Sequence, residues 1–97
     1  MVILSWNRIM VFCDRYPHAS EALMRWYLIR FEADWKNAHD LTRDFGYVDI
    51  VGNDRFVFNI NGNKFRLVAM IHFNTRTVYI RFIGSHQEYN QINCSTI

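Results

Sequence analysis

The chain has 97 residues, of which 51% are apolar, 16% aromatic and 21% charged. That composition supports one modest core and excludes a disordered, collagen-like or low-complexity chain. No apolar run approaches the roughly 18 residues of a membrane span, and the opening Met1, Val2, Ile3 and Leu4 lack the basic flank of a signal peptide. Cys13 and Cys94 stand at opposite ends without paired spacing, so neither a disulfide framework nor a zinc site is expected. The expectation is a single cytoplasmic domain over residues 1–97. Its net charge of +2 is unevenly spread: residues 1–54 carry 6 basic and 8 acidic side chains, residues 55–97 carry 5 basic and 1 acidic. A basic half joined to an acidic half points to a polyanion or an acidic protein partner, or to strands with a solvated cationic face.

Val2, Ile3 and Leu4 predict a short first strand. Ser5 is placed to cap a helix carrying Trp6, Ile9, Met10 and Cys13 at three- and four-residue spacing. Pro17 and Ser20 mark the start of a second helix with Leu23, Trp26, Tyr27 and Arg30 on one stripe, ending near Ala33. Asn37 caps a third, short helix that holds Leu41 and stops near Phe45 and Gly46. Trp26 and Tyr27 read as core residues, Trp35 closes the helix against the sheet, and Cys13 is a small buried apolar residue.

Residues 55–60 alternate as a strand, and Asn61-Gly62 is a strong hairpin signal. Residues 63–73 and 77–83 supply two more strands, giving an antiparallel meander to which the first strand can add at an edge. The fold class is α+β, helices first and sheet second. A two-residue Asn61-Gly62 turn sets Phe58 opposite Phe65 and Phe56 opposite Leu67, which leaves Arg55, Asn59, Lys64 and Arg66 on the other face. Val78, Ile80 and Phe82 then lie beside Leu67, Ala69 and Ile71, while Tyr79 and Arg81 join the cations and His72. One face is apolar and covered by helices; the opposite face is a cluster of cations with an aromatic ring among them.

Cations beside an aromatic on an open sheet suit RNA, since Lys and Arg hold phosphates and Tyr or His stacks on an unpaired base. The tail Gly84-Ser85-His86-Gln87-Glu88-Tyr89 adds an imidazole and a phenol three residues apart, on one side if the stretch is helical. Such a set cleaves RNA without a metal: one group takes the 2′-hydroxyl proton, cations stabilise the phosphorane, and another group protonates the leaving 5′-oxygen. An imidazole is the side chain whose ordinary titration suits that exchange. A surface or capping role is the other reading of a lone His in a tail. Cys94 reads as an incidental thiol in a frayed terminus. No glycine-rich phosphate loop, GxSxG or HExxH occurs, and no cofactor is expected.

An ordered set of residues along nearly the whole chain resembles the HigB-type toxins of the RelE-like superfamily. It comprises Ala33-Asp34-Trp35, Asp40-Leu41, Phe45, Val51-Gly52-Asn53 and Arg55, then Val57-Phe58-Asn59-Ile60, Gly62-Asn63-Lys64 and Arg66-Leu67-Val68. Val78-Tyr79-Ile80-Arg81-Phe82, Gly84, His86 and Glu88-Tyr89 complete it. The resemblance implies a small antiparallel sheet with helices on one side, and ribosome-dependent endoribonuclease activity on mRNA in the A site, without metal. It also implies a HigA-type helix-turn-helix antitoxin, and contact with operator DNA through the toxin–antitoxin complex. Lys64, Arg66 and Arg81 match the family's basic sheet residues, and His86 and Tyr89 its C-terminal pair, as the catalytic candidates. Arg55, Asn59, Asn63 and Tyr79 are the further RNA-binding candidates. Two positions depart from the family pattern: Asn90 stands where Asp is frequent, which bears on activity, and Ser85 where Thr is common, which keeps the hydroxyl. The rival reading is a non-catalytic RNA- or protein-binding module using the same basic face.

Overall fold

A computed structural model describes residues 1–45, 48–62 and 64–97, without the side chains of Arg30 and Phe31. The expected helix stop at Gly46, the candidate Asn63 and the Arg30 position on the helical stripe therefore lie outside what is described. In chain order come β1 (Val2–Leu4), α1 (Asn7–Arg15), a 3-10 turn (Pro17–Ala19), α2 (Ser20–Glu32), α3 (Ala38–Phe45), β2 (Asp49–Gly52), β3 (Arg55–Ile60), β4 (Phe65–His72), β5 (Thr77–Ser85) and α4 (His86–Tyr89). The five strands form one sheet in the order β1-β5-β4-β3-β2, antiparallel except for the parallel pairing of β1 with β5. The α+β class and the segregation of helices to one face are as the sequence predicts.

Alternation along the meander sorts the two faces. Phe56, Phe58, Ile60, Phe65, Leu67, Ala69, Ile71, Val78 and Ile80 are buried in one cluster with Ile9, Phe12, Leu23, Trp26, Trp35 and Leu41 from the helical layer. Leu67 is fully enclosed, and truncating such a residue to Ala costs about 2–5 kcal/mol through lost transfer energy and the cavity left behind. Trp35 is buried with its indole N–H donated to Asp44 Oδ2 at 2.7 Å, so the polar edge of a core ring is satisfied. Asn37 caps α3 as expected, its Oδ1 accepting the Asp40 N–H at 3.0 Å.

Several expectations are corrected. Ser5 does not cap α1: it takes φ +66° between β1 and α1, and the N-cap residue is Trp6, which makes no side-chain cap. The inward stripe of α1 runs through Ile9 and Phe12, leaving Met10 exposed. Residues 61–64 make a four-residue connection, so Phe58 faces Leu67 and Phe56 faces Ala69; the shift is two residues and every side chain keeps its face. β2 was not expected. It is a mostly exposed edge strand without apolar alternation, folded back onto β3 through Gly52, Asn53 and Asp54, all at positive φ.

The last correction matters most for the site. Between Val68 and Ala69 the β4–β5 register shifts, so that Ile80 pairs with Ala69 but Phe82 with Val68. Arg81 is the extra residue of a β-bulge, and Phe82 leaves the core face for the open face.

The tail is not frayed. Asn53 Nδ2 donates to the Ser95 carbonyl at 3.0 Å. Arg55 Nε donates to the Ile97 carbonyl at 3.1 Å, joined there by Nη2. Tyr89 Oη lies 3.6 Å from Cys94 Sγ. Residues 90–97 therefore run back along the open face, where Val57 and Val68 are buried although they point away from the helices. No described helix is long and apolar enough to cross a membrane.

Candidate nucleic-acid-cleaving site

The register brings five of the expected residues to one end of the open face. Arg66 pairs with Asn59 on β3 and with Gly84 on β5. Lys64 immediately precedes β4, is exposed, and its carbonyl accepts the His86 N–H at 3.3 Å. That bond fastens the first residue of α4 beside the two cations.

Ser85 fixes the direction of α4. Its hydroxyl accepts the Glu88 N–H at 3.1 Å, while Glu88 Oε1 accepts the Ser85 N–H at 3.0 Å: a reciprocal capping box. The Ser85 N–H, and after it the Ser85 hydroxyl, hold the Glu88 carboxyl below the usual carboxylate range. One helical turn places His86 and Tyr89 side by side, with ring centroids 6.5 Å apart and edge to face. His86 is exposed and Tyr89 half-buried.

Tyr89 differs electrostatically from a surface phenol. Burial pushes its pKa up to about 12, the contact with Cys94 and the charge of Asp49 add to the rise, and Arg66 opposes it. The hydroxyl therefore remains a proton donor throughout the neutral range. Asp49, on β2, was missed in the sequence because that strand was missed with it.

Arg81 enters from the bulge. It lies between Ile80, which pairs with Ala69, and Phe82, which pairs with Val68 two residues along β4 from Arg66. Its guanidinium lies over the Tyr79 ring, 5.7 Å from the centroid. Among the described residues its Nε is a buried donor without a hydrogen-bond partner. A planar donor half removed from water and left unpaired is poised for an anion.

Two expected residues lie elsewhere. Arg55 and Tyr79 both pair with Met70, four residues along β4 from Arg66 and so about 13 Å away. Arg55 is taken up by the tail, by the Asn53 carbonyl at 2.8 Å and by Met70 Sδ at 3.3 Å. His72 packs edge to face on Tyr79 and approaches Asp54 at 3.7 Å. Arg76 is spent on structure, its Nε donating to Asp34 Oδ1 at 2.6 Å between the β4–β5 connection and the end of α2. Among the described residues no three His, Cys, Asp or Glu side chains converge as metal ligands.

A model of the HigB toxin family, described as the RelE-like toxic component of a toxin–antitoxin system, matches residues 19–92. The chain is similar to the mRNA interferase toxin HigB of Escherichia coli (strain K12), 40% identical over 47 residues, or 48% of this chain and 41% of that one. It is also similar to the mRNA interferase HigB of Escherichia coli O6:H1, 26% identical over 80 residues, or 80% of this chain and 78% of that one. The first of these matches spans about two fifths of the relative's length.

Proposed function

The chain belongs to the HigB family of RelE-like toxins, and from that premise we propose that it is an endoribonuclease that cuts mRNA and so arrests translation. One observation carries the reading: Lys64, Arg66, Arg81, His86 and Tyr89 are gathered at one end of a single sheet face. Cleavage needs a base for the 2′-hydroxyl, cations for the phosphorane and an acid for the leaving oxygen. Arg66 and Arg81 hold the scissile phosphate. His86 takes the 2′-hydroxyl proton, with Lys64 the alternative. The 2′-oxygen bonds to phosphorus, the bond to the 5′-oxygen breaks, and Tyr89, protonated at neutral pH, either supplies the proton or stacks on the adjoining base. The products are a 2′,3′-cyclic phosphate and a 5′-hydroxyl.

Asn59 flanks this end as an RNA-contacting residue and Tyr79 extends the face, while Arg55 is held by the tail. Membership of a toxin–antitoxin family implies an antitoxin. We assign it to the HigA type, with a helix-turn-helix domain through which the complex reaches operator DNA. The substrate is mRNA held in the ribosomal A site, in the cytoplasm.

The test is cleavage of a defined mRNA, with and without programmed ribosomes, mapped by primer extension beside Arg81→Ala. Discrete cuts that require ribosomes are expected, with Arg81→Ala at least about 100-fold slower, the cost of removing a donor aimed at developing charge. Its circular dichroism should match the parent, since no hydrogen bond to Nε is lost. A folded parent that binds RNA without cutting it would replace the nuclease with a binding module.

A further inference from the structure

Among the described residues, part of β5 has no strand neighbour on the side away from β4. β1 pairs with Thr77, Val78 and Tyr79, and beyond them α1 takes its place, Arg8 Nη1 donating to the Arg81 carbonyl at 3.2 Å. Between α1 and this stretch lies a groove of about 350 Å3, lined by Asn7, Arg8, Val11, Arg15, Phe82 and Ile83. Its size falls in the range of ligand clefts, roughly 300–1,000 Å3.

The lining has two kinds of group. Arg8 and Arg15 are exposed and seven residues apart on one helix, hence on the same side and about 10 Å apart along the axis. Arg8 reaches the Arg81 carbonyl, and the Arg15 guanidinium lies over the Tyr16 ring, 5.3 Å from its centroid. Phe82 faces them because the bulge at Arg81 turned it out of the core. Its ring lies over Gly84: a Cβ there would stand 2.6 Å from Phe82 Cζ, so a larger residue at that position would displace the ring. Two guanidinium groups and an aromatic ring lining one groove match a nucleotide, phosphates to the arginines and base to the ring. The charge of Arg15 acts on Glu88, whose carboxylate is already bound by Ser85.

The groove is continuous with the proposed catalytic end. Arg81 and Phe82 are consecutive, and Gly84 beneath the ring pairs with Arg66. We propose that the groove of Arg8, Arg15 and Phe82 is a second RNA subsite, holding single-stranded nucleotides beside the cleaved bond as the strand leaves the sheet over the edge of β5. The assignment rests on the proposed nuclease function and extends its substrate site to α1.

The test is binding of a labelled single-stranded RNA by fluorescence anisotropy across a salt series. Arg8→Gln/Arg15→Gln should weaken binding about ten-fold and lower the salt slope by about 1.4, two phosphate contacts at roughly 0.7 each. Phe82→Leu should weaken binding about five-fold or more and leave the slope unchanged, as a lost stacking contact does. Arg25→Gln/Arg43→Gln, which removes the same charge from exposed positions on α2 and α3, should bind like the parent. An equal loss in that control overturns the subsite in favour of bulk charge. Groove variants that bind like the parent while Lys64→Ala/Arg66→Ala fails to bind overturn the subsite and leave the nuclease reading standing. If neither set affects binding, both fall.

Discussion

Tyr89 shows how one side chain joins fold to chemistry. Its phenol is half-buried beneath the returning tail, against Cys94 Sγ, and burial raises its pKa from the ordinary 10.0 to about 12. In the unfolded chain the same phenol ionises near pH 10. The protonated form is thus favoured by folding, and its contribution to stability is complete below pH 10 and lost as pH rises towards 12. The titration difference between the parent and Tyr89→Phe should show one phenol ionising near 12, and the variant should lose less stability over that alkaline window. A difference centred near 10 would mean that the tail does not cover the ring. For cleavage, the same shift predicts that no alkaline limb belonging to Tyr89 appears below about pH 10.

At the scale of elements, β5 and α4 carry the site, and both depend on breaks in regularity. Strict alternation gives the open face correctly as far as Arg81 and then assigns Phe82 to the core. The bulge that reverses this has no local marker in the sequence, since bulges answer to partner strands rather than to composition. The helical turn of α4, in contrast, was legible: Ser85 with Glu88 three residues on is the pattern of a capping box. Ser85→Ala should cost about 1 kcal/mol and release α4, so that His86 and Tyr89 lose their shared orientation. Cleavage should fall by more than the small change in unfolding midpoint explains, and Ser85→Thr, which keeps the hydroxyl, should restore both. A Ser85→Ala enzyme that cuts at the parent rate would show that α4 needs no fixed direction. Acidification acts on the same box: Glu88 favours folding above its ordinary value near 4.5, and that support disappears as pH falls below it.

Across the whole molecule, the charge asymmetry read from the sequence survives only in part as a binding face. Lys64, Arg66 and Arg81 stand at its proposed catalytic end, whereas Arg76 ties the sheet to the acidic half through Asp34 and Arg55 clasps the tail. Sequence position cannot distinguish a cation that awaits a ligand from one spent on a backbone carbonyl 42 residues away, because that partner is fixed by tertiary return of the chain. The layering of helices on an apolar sheet face was legible for the opposite reason, being written locally in alternation and helical spacing.

The tail also accounts for the burial of Val57 and Val68 on a face expected to be open. Arg55 should therefore act as a clasp more than as a phosphate ligand. Arg55→Ala removes charge-assisted bonds to Ile97 and Asn53, a loss of about 1–3 kcal/mol and a fall in Tm of roughly 4 °C or more for a domain of this size. Amide exchange should quicken in residues 90–97 while β4 and β5 keep their protection. The Tyr89 phenol, freed of its cover, should titrate closer to its ordinary value. Because Arg55 makes no phosphate contact under this assignment, the salt slope for RNA binding should stay at the parent value; a slope reduced by about 0.7 would return Arg55 to the RNA interface.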